Sequence, residues 1–171
     1  MIKKVVFFSY TLLITFVVCS QMACGIYSFS GTSVHPDVKT VYIEDFENLA
    51  SNVEPTLTQT LVEKMKNKFT SEARLNIANN SGDVEFNGAV LNYFVEPAAS
   101  GGDDKAALSR LNIVVRIEYL NNITDETWSQ TFQQYETFSQ DANLSDVEAG
   151  LIDTITERMV NDIFTKAFSN W

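Results

Sequence analysis

The sequence predicts an α+β fold, a two-layer sandwich in which a four-stranded sheet carries two amphipathic helices on one face. Two segments repeat apolar residues every three or four positions, and four segments alternate apolar with polar residues. Their order along the chain is β-α-β-β-β-α, which two layers accommodate simply. The second face of the sheet would then carry polar side chains and remain open to a partner.

The first strand and the first helix are predicted within residues 38–69. Residues 38–43, VKTVYI, favour a strand that ends at the acidic Glu44 and Asp45. Pro55 suits the first turn of the following helix. The apolar stripe of this helix recurs at every fourth position, and the lysines near its end complement the helix dipole. The stripe is Leu57, Leu61, Met65 and Phe69, and the lysines are Lys64, Lys66 and Lys68.

A second strand and a loop are predicted in the middle of the chain. Residues 84–95 alternate as a strand, in which Gly88 marks either a bulge or a close approach of the backbone. Pro97 is expected to end this strand. Residues 98–108, AASGGDDKAAL, are small, glycine-rich and acidic, which is typical of a mobile loop.

The third strand, residues 110–120, has the clearest alternation in the chain. A turn is predicted at residues 121–126, and residues 127–138 form the fourth strand. The step from Phe132 to Tyr135 breaks the alternation there and predicts a bulge. In the third strand the apolar side is Leu111, Ile113, Val115, Ile117 and Tyr119, and the polar side includes Arg110, Asn112, Arg116 and Glu118.

The last element is predicted to be a helix with a broad buried side. Ser145 followed by Glu148 three positions later matches a capping box at the start of the helix. The apolar positions then follow helical spacing. They are Leu151, Ile152, Ile155, Met159, Val160, Ile163, Phe164 and Ala167.

The beginning of the chain resembles a secretion signal. Lys3 and Lys4 precede about 14 mostly apolar residues, too few to span a bilayer. Cys24 follows small Ala23 and matches a bacterial lipobox, although Gln21 departs from the aliphatic residue usual there. The alternative is a free or disulfide-bonded cysteine, with Cys19 as the partner. The predicted layout is a cleaved signal peptide at 1–23, a lipidated tether at 24–37 and a single α+β domain at 38–171.

Composition argues against nucleic-acid binding and against catalysis. The formal net charge is −10, and the clusters of Lys and Arg that phosphate contacts require are absent. His35 is the only histidine and has no nucleophile close to it in sequence. The common catalytic, metal-binding and phosphate-binding motifs are missing as well. We therefore predict a protein that is not an enzyme and that uses no cofactor or metal.

Four strings, in this order, resemble the lipopolysaccharide-assembly lipoprotein family, in its Bacteroidetes-type branch. The resemblance covers nearly the whole chain after the signal segment, with an additional Ile26 in a start that is otherwise cysteine-glycine-tyrosine. The strings are CGIYSFSG at 24–31, TVYIEDFEN at 40–48, DVEFNG at 83–88 and NDIFTKAFSNW at 161–171.

This resemblance implies a non-catalytic subunit of the lipopolysaccharide translocon. Such a subunit is anchored by lipid to the outer membrane, faces the periplasm, plugs a large β-barrel partner and helps that barrel assemble. It would also help receive lipopolysaccharide, for which Lys105, Arg110 and Arg116 are the candidate contacts. Two alternatives remain. One is another outer-membrane lipoprotein, of the secretion-pore or cell-wall-synthase-activator type, and the other is a periplasmic ligand-binding lipoprotein.

Overall fold

The computed structural model describes residues 34–51, 54–98 and 107–168. These residues all belong to one compact unit, residues 31–171. The predicted signal peptide, Cys24 and Lys105 lie outside the described residues, as does most of the predicted 98–108 loop. The predictions made for them therefore stay predictions.

The described residues form two helices and six strands, two strands more than predicted. The additional strands, β2 and β3, have only two residues each, too few to show any sequence period. The elements are β1 (Thr40–Ile43), β2 (Glu47–Asn48), α1 (Leu57–Ser71), β3 (Asn76–Ile77), β4 (Val84–Ala98), β5 (Leu108–Asn121), β6 (Glu126–Ser139) and α2 (Leu144–Phe168).

The six strands form one mixed sheet in the order β3-β1-β4-β5-β6, with β2 paired to β4. The pairs β1/β3, β1/β4 and β2/β4 are parallel, whereas β4, β5 and β6 form an antiparallel meander. A parallel pair needs a crossover, and α1 lies in the connection between β1 and β4. The α+β prediction is correct in class, and its strand count is corrected from four to six.

Strand β4 continues past the proline that was expected to end it. Pro97 pairs with Ser109, and the strand ends at Ala98. Strand β2 pairs with β4 only as far as Val90, so beyond that point β5 is the one described neighbour of β4. A proline is tolerated where a strand has such a free side, because no second ladder needs its missing N–H.

Gly88 marks a close approach of the backbone, and the bulge of β4 lies elsewhere. A Cβ atom at Gly88 would lie 2.8 Å from the backbone oxygen of Arg116 on β5. The register between β4 and β5 shifts between Val90 and Asn92 instead. Because of this bulge, each residue of β4 after Val90 points to the face opposite to the one that simple alternation predicts.

The bulge predicted in the fourth strand is absent. Strand β6 pairs with β5 without a register shift along its whole length. Phe132 is buried on the side of the helices, and Tyr135, an odd number of positions later, points to the other face. The apparent break in alternation is therefore an exposed aromatic residue.

The core lies between the sheet and the two helices. All four members of the predicted α1 stripe are buried, as are seven of the eight apolar positions predicted for α2. Phe69 of α1 lies at the centre, with ring centroids 4.9 Å from Phe86 of β4 and 5.8 and 5.4 Å from Phe164 and Phe168 of α2.

The capping box predicted for α2 does not form. The helix begins at Leu144, so Ser145 lies inside its first turn. Asn143 precedes the helix, and its side-chain amide donates to Asp146 at 3.3 Å. Glu148 accepts a hydrogen bond from the hydroxyl of Tyr93 on β4, and this bond and burial raise the pKa of that hydroxyl.

Lys64 joins the two helices. Its amine lies 2.8 Å from a carboxylate oxygen of Asp153 and 3.2 Å from one of Glu157, both on α2. Burial opposes the charge of this amine, but the hydrogen bonds and charges of the two acids outweigh it and raise the pKa of Lys64. The basic end of α1 is thus partly structural, where the sequence predicted only solvated charge.

Asp83 joins the beginnings of β1 and β4. Its Oδ2 accepts the backbone N–H groups of Lys39 and Thr40 at 2.8 and 2.9 Å, and its own N–H donates to the Thr40 hydroxyl at 2.9 Å. These hydrogen bonds, above all the one from Lys39, lower the pKa of the Asp83 carboxyl from its ordinary value of 3.8.

Replacing Gly88 by alanine should destabilise the fold by about 1–3 kcal/mol, because the added methyl meets the backbone of β5. Gly150 on α2 is the matched control, since a Cβ there meets nothing within 4 Å. Gly150→Ala should stabilise by about 0.4–1 kcal/mol. Urea denaturation measures the change in the free energy of unfolding for each variant, which should be a loss for Gly88→Ala and a gain for Gly150→Ala. Equal changes would contradict the close approach at Gly88.

Asp83→Asn should lower the melting temperature at neutral pH. The folded carboxyl has a lowered pKa, so the stability that its charge provides is complete above the ordinary pKa and is lost as the pH falls through the lowered value. The two melting temperatures should therefore converge as the pH is lowered below the ordinary value of 3.8. Circular dichroism across that range tests this, and a difference independent of pH would show that the charge is not involved.

Candidate functional site

One face of the sheet carries the two described helices, and we call the other the open face, because neither of these helices packs on it. The core side of β5 is buried throughout, so the alternate positions of the meander define the open face. Its side chains on β4 are Glu85, Asn87, Ala89, Asn92, Phe94 and Glu96; on β5, Arg110, Asn112, Val114, Arg116, Glu118 and Leu120; and on β6, Thr127, Ser129, Thr131, Gln133, Tyr135 and Thr137.

A connected group of polar side chains occupies one end of the open face, and we call it the Arg110 cluster. The Asn112 amide donates to Glu96 at 3.1 Å and accepts from Gln133 at 3.4 Å. Arg110 lies 3.8 Å from the Glu96 carboxylate, and its guanidinium carbon is 4.1 Å from the centre of the Tyr135 ring. Cation–π and ionic contacts together hold Arg110 in place.

The cluster buries one polar residue almost completely. Asn112 is only 1% exposed, although it lies on the face that has no helix. Burial of an amide is tolerated when its donor and its acceptor both have partners, as Glu96 and Gln133 provide here. At this end of the open face, hydrogen bonds therefore hold the side chains in place, as they do in a protein core.

Two large aromatic side chains border this cluster and are exposed. Phe94, opposite Asn112 on β4, is 40% exposed, and Tyr135 on β6 is 44% exposed. Exposed aromatic residues beside arginine are the typical composition of binding hot spots. The combination distinguishes this end of the sheet from an ordinary solvated face.

Both arginines of the open face keep unused hydrogen-bonding capacity. The Nε atoms of Arg110 and Arg116 are buried and have no hydrogen-bond partner within the described parts of the chain. Arg116 Nε lies 3.5 Å from the Glu118 carboxylate, an ionic contact without hydrogen-bond geometry. A buried donor that lacks a partner is costly, so these two atoms are local weak points in the order of the open face.

The other end of the open face is acidic. A groove of about 440 Å³ crosses the sheet there. Glu44, Glu85 and Glu118 line it together with Tyr42, and Thr127 and Ser129 of β6 form one of its borders. The excess negative charge of the open face thus lies at this end, where three glutamates outnumber Arg116, whereas Arg110 and Glu96 offset each other at the other end.

The predicted contacts do not form one anion site. Arg110 and Arg116 lie on the same face of β5, as the alternation predicted, but six positions of strand separate them by about 20 Å. Lys105 and Cys24 lie outside the described residues. His35 is at the surface, 3.8 Å from Asp37, and accepts the N–H of that residue.

Sequence reasoning missed Phe94 and Tyr135. Alternation from Phe86 places Phe94 on the core side, and only the bulge between Val90 and Asn92 turns it to the open face. Tyr135 was interpreted as a bulge. Neither residue carries a local signal that would have corrected the assignment.

Two further observations bear on chemistry and on the membrane. Within residues 34–51, 54–98 and 107–168, no three His, Cys, Asp or Glu side chains are grouped so as to hold a metal ion. Neither described helix combines the length and the hydropathy that crossing a bilayer requires.

The fold and the open face define a small two-layer α+β domain that offers a broad sheet surface to a partner. The chain belongs to the lipopolysaccharide-assembly family LptE, whose sequence pattern matches residues 38–167. This family consists of non-enzymatic outer-membrane lipoproteins involved in lipopolysaccharide assembly. The resemblance noted in the sequence is confirmed at the level of the family.

Solved structures with a TM-score of 0.50 or more share the fold at low sequence identity. Protein CT253 of Chlamydia trachomatis has a TM-score of 0.53 and 8% identity, over 76% of this chain and 95% of its own. A neuraminyllactose-binding hemagglutinin homologue of Helicobacter pylori has a TM-score of 0.50 and 7% identity, over 83% and 90%. A minor lipoprotein of Acinetobacter baumannii has a TM-score of 0.46 and 14% identity, over 77% and 97%. No curated protein is significantly similar in sequence.

Asn112→Asp should destabilise the fold by roughly 1–3 kcal/mol at neutral pH, because it removes the donor to Glu96 and buries a second carboxylate beside it. Asn92→Asp, on the same face but exposed, is the control and should change stability by less than about 0.5 kcal/mol. Chemical denaturation compares them. Equal, small effects would show that Asn112 is not part of an ordered network.

Proposed function

We propose that this protein is the lipid-anchored, periplasm-facing subunit of a lipopolysaccharide translocon in the outer membrane. It would sit in the lumen of a large β-barrel partner, help that barrel assemble, and assist delivery of lipopolysaccharide to the cell surface. The observation that carries the proposal is the family match, which extends over nearly all of the folded residues. The four strings quoted from the sequence assign it to the Bacteroidetes-type branch.

The open face is the surface we assign to the barrel partner. It is broad, neither described helix packs on it, and it carries exposed aromatic rings beside a fixed arginine. The helix-covered face is committed to the core and offers no comparable surface. A rigid sheet presenting side chains from three strands suits contact with the inner wall of a barrel.

The lipid anchor is assigned to Cys24. The lipobox-like sequence before it supports cleavage after residue 23, and several acyl chains would hold the mature protein firmly to a membrane. Residues 24–37 would then act as the tether that joins the anchor to the domain. The acidic residues that often follow the cysteine of surface-exported lipoproteins are absent at Gly25, Ile26 and Tyr27, which supports the periplasmic orientation.

Lipopolysaccharide contact is assigned to Lys105, Arg110 and Arg116 as a secondary role. The partial exposure of the two arginine side chains, 33% and 43%, supports it, because guanidinium groups suit phosphate. The acidic groove opposes it, since Glu44, Glu85 and Glu118 repel an anion that approaches the same face. Contact through Arg110 is therefore favoured over contact through Arg116, which lies beside Glu118.

The test is co-purification of the tagged full chain from detergent-solubilised envelopes, with mass spectrometry of what remains bound. The wild type should recover a large β-barrel near stoichiometry. A variant that carries both Phe94→Ser and Tyr135→Thr should recover at least about ten-fold less of the barrel, because it lacks two aromatic anchors. Both side chains are exposed, so the fold should be retained, which circular dichroism checks.

The matched control is Ile123→Ser, since Ile123 is 42% exposed but lies in the turn at the opposite end of the sheet. It should recover as much barrel as the wild type. If the wild type recovers only itself as a ring, the secretion-pore alternative replaces this proposal. If the wild type recovers no other protein, the ligand-binding alternative replaces this proposal.

A further inference from the structure

The outer edge of β6 is free over one part of its length and closed over the rest. In an antiparallel pair, alternate residues direct both N–H and C=O toward the neighbouring strand or away from it. Strand β5 is the only strand paired with β6 in the described parts of the chain. The odd-numbered residues of β6 point outward, because the Tyr135 oxygen and the Thr137 N–H both meet partners other than β5.

The C-terminal part of the edge is closed by other groups of the chain. Arg158 of α2 donates to the Tyr135 oxygen at 3.0 Å and forms an ion pair with Glu136. Glu136 also accepts the Thr137 N–H at 3.2 Å, and the Ser139 oxygen accepts the Ala142 N–H at 3.1 Å. An incoming strand would have to break these contacts, so this part of the edge is protected.

The N-terminal part has no such protection. We call residues 127–133 the free edge. Among the described residues, nothing bonds to the outward backbone groups of Thr127, Ser129, Thr131 and Gln133. The segment contains no proline, lysine or bulge, which are the devices that proteins commonly use to blunt an edge strand.

Grooves lie on both sides of the free edge. On the helix side, a groove of about 550 Å³ runs between β6 and α2 and is lined by Gln130, Phe132, Asp162 and Lys166. On the open face, the acidic groove reaches Thr127 and Ser129. A strand added to this edge would place alternate side chains into the two grooves.

Charge selects among the strands that could add here. Glu118 pairs directly with Ser129, so it is the carboxylate nearest to the free edge on the open face, and Glu85 lies on the next strand. Arg116, opposite Thr131, forms an ion pair with Glu118 at 3.5 Å, so Glu85 and Glu44 supply the excess negative charge of the groove. A second copy of this chain would bring a net charge of −10 and no cation in its own residues 127–133. An extended segment with lysine or arginine at alternate positions would instead match the acidic groove.

We infer that the free edge of β6 binds an extended basic segment of the barrel partner by β-strand addition, with its Lys or Arg side chains directed toward Glu118. This inference rests on the proposed function, because the partner is the one assigned there. Backbone hydrogen bonds would supply affinity, and the acidic groove would supply selectivity. The closed part of the edge limits the added strand to residues 127–133.

The experiment uses the full chain in its native envelope with the photo-crosslinker p-benzoyl-phenylalanine at position 129. The crosslinked peptide, mapped by mass spectrometry, should come from the barrel and carry Lys or Arg at alternate positions. The same probe at position 137, on the same face but at the closed part, can meet the barrel through the open face, so the comparison is the mapped peptide. The basic segment should be crosslinked from position 129 and not from position 137.

Two matched pairs of variants test the mechanism. Thr131→Pro removes an outward N–H without touching the β5 ladder and should lower the yield at position 129 by more than about five-fold, whereas Thr131→Val should not. In the second pair, Glu118→Gln should lower the crosslink yield at position 129 about two- to five-fold. Asp141→Asn changes an exposed acid beyond the end of β6 and should leave that yield unchanged.

The outcomes separate this inference from the proposed function. If the barrel co-purifies but position 129 does not crosslink to it, or Thr131→Pro has no effect, strand addition is wrong and the proposed function stands. If no barrel co-purifies, both fall together. If position 129 crosslinks to a second copy of this chain or to a segment without basic residues, the charge argument is wrong.

Discussion

The structure depends on the packing of Phe69 against aromatic rings from two other elements. Phe86 lies on β4, and Phe164 and Phe168 lie on α2, so a single ring holds both helices and the sheet together. Each aromatic pair contributes about 0.5–1.5 kcal/mol beyond its burial. Because all of these rings lie on one side of the sheet, both described helices are committed to that side, and neither covers the other side.

The open face shows how a sheet surface without a helix can still be ordered. Asn112 is buried there with both ends of its amide hydrogen-bonded, and Arg110 is held between Glu96 and the Tyr135 ring. A surface fixed before its partner arrives loses little side-chain entropy on binding.

Much of the fold could be predicted because the strongly periodic segments are long. The α1 stripe ending at Phe69 and the alternation of β5 through Ile117 are both observed. The two-residue strands β2 and β3 could not be predicted, since they exist only through pairing with distant residues. Local patterns also misplaced the start of α2, because the Glu148 carboxylate is used by Tyr93 instead of by the helix end.

The candidate site was predicted less well, because the bulge in β4 decides which side chains share the open face. Arg110 and Arg116 could be assigned to the outward side of β5, but their neighbours across the strands depend on register. One additional residue in β4 reverses the sides of everything after Val90, so Phe94 cannot be placed without knowing the bulge. A partner-binding surface made from three strands is therefore a property of their alignment.

Helix α2, which supplies two of the rings around Phe69, follows all six strands in the chain. Until α2 has been made, α1 is the only described helix that can cover the apolar side of the sheet, so the aromatic core around Phe69 closes last.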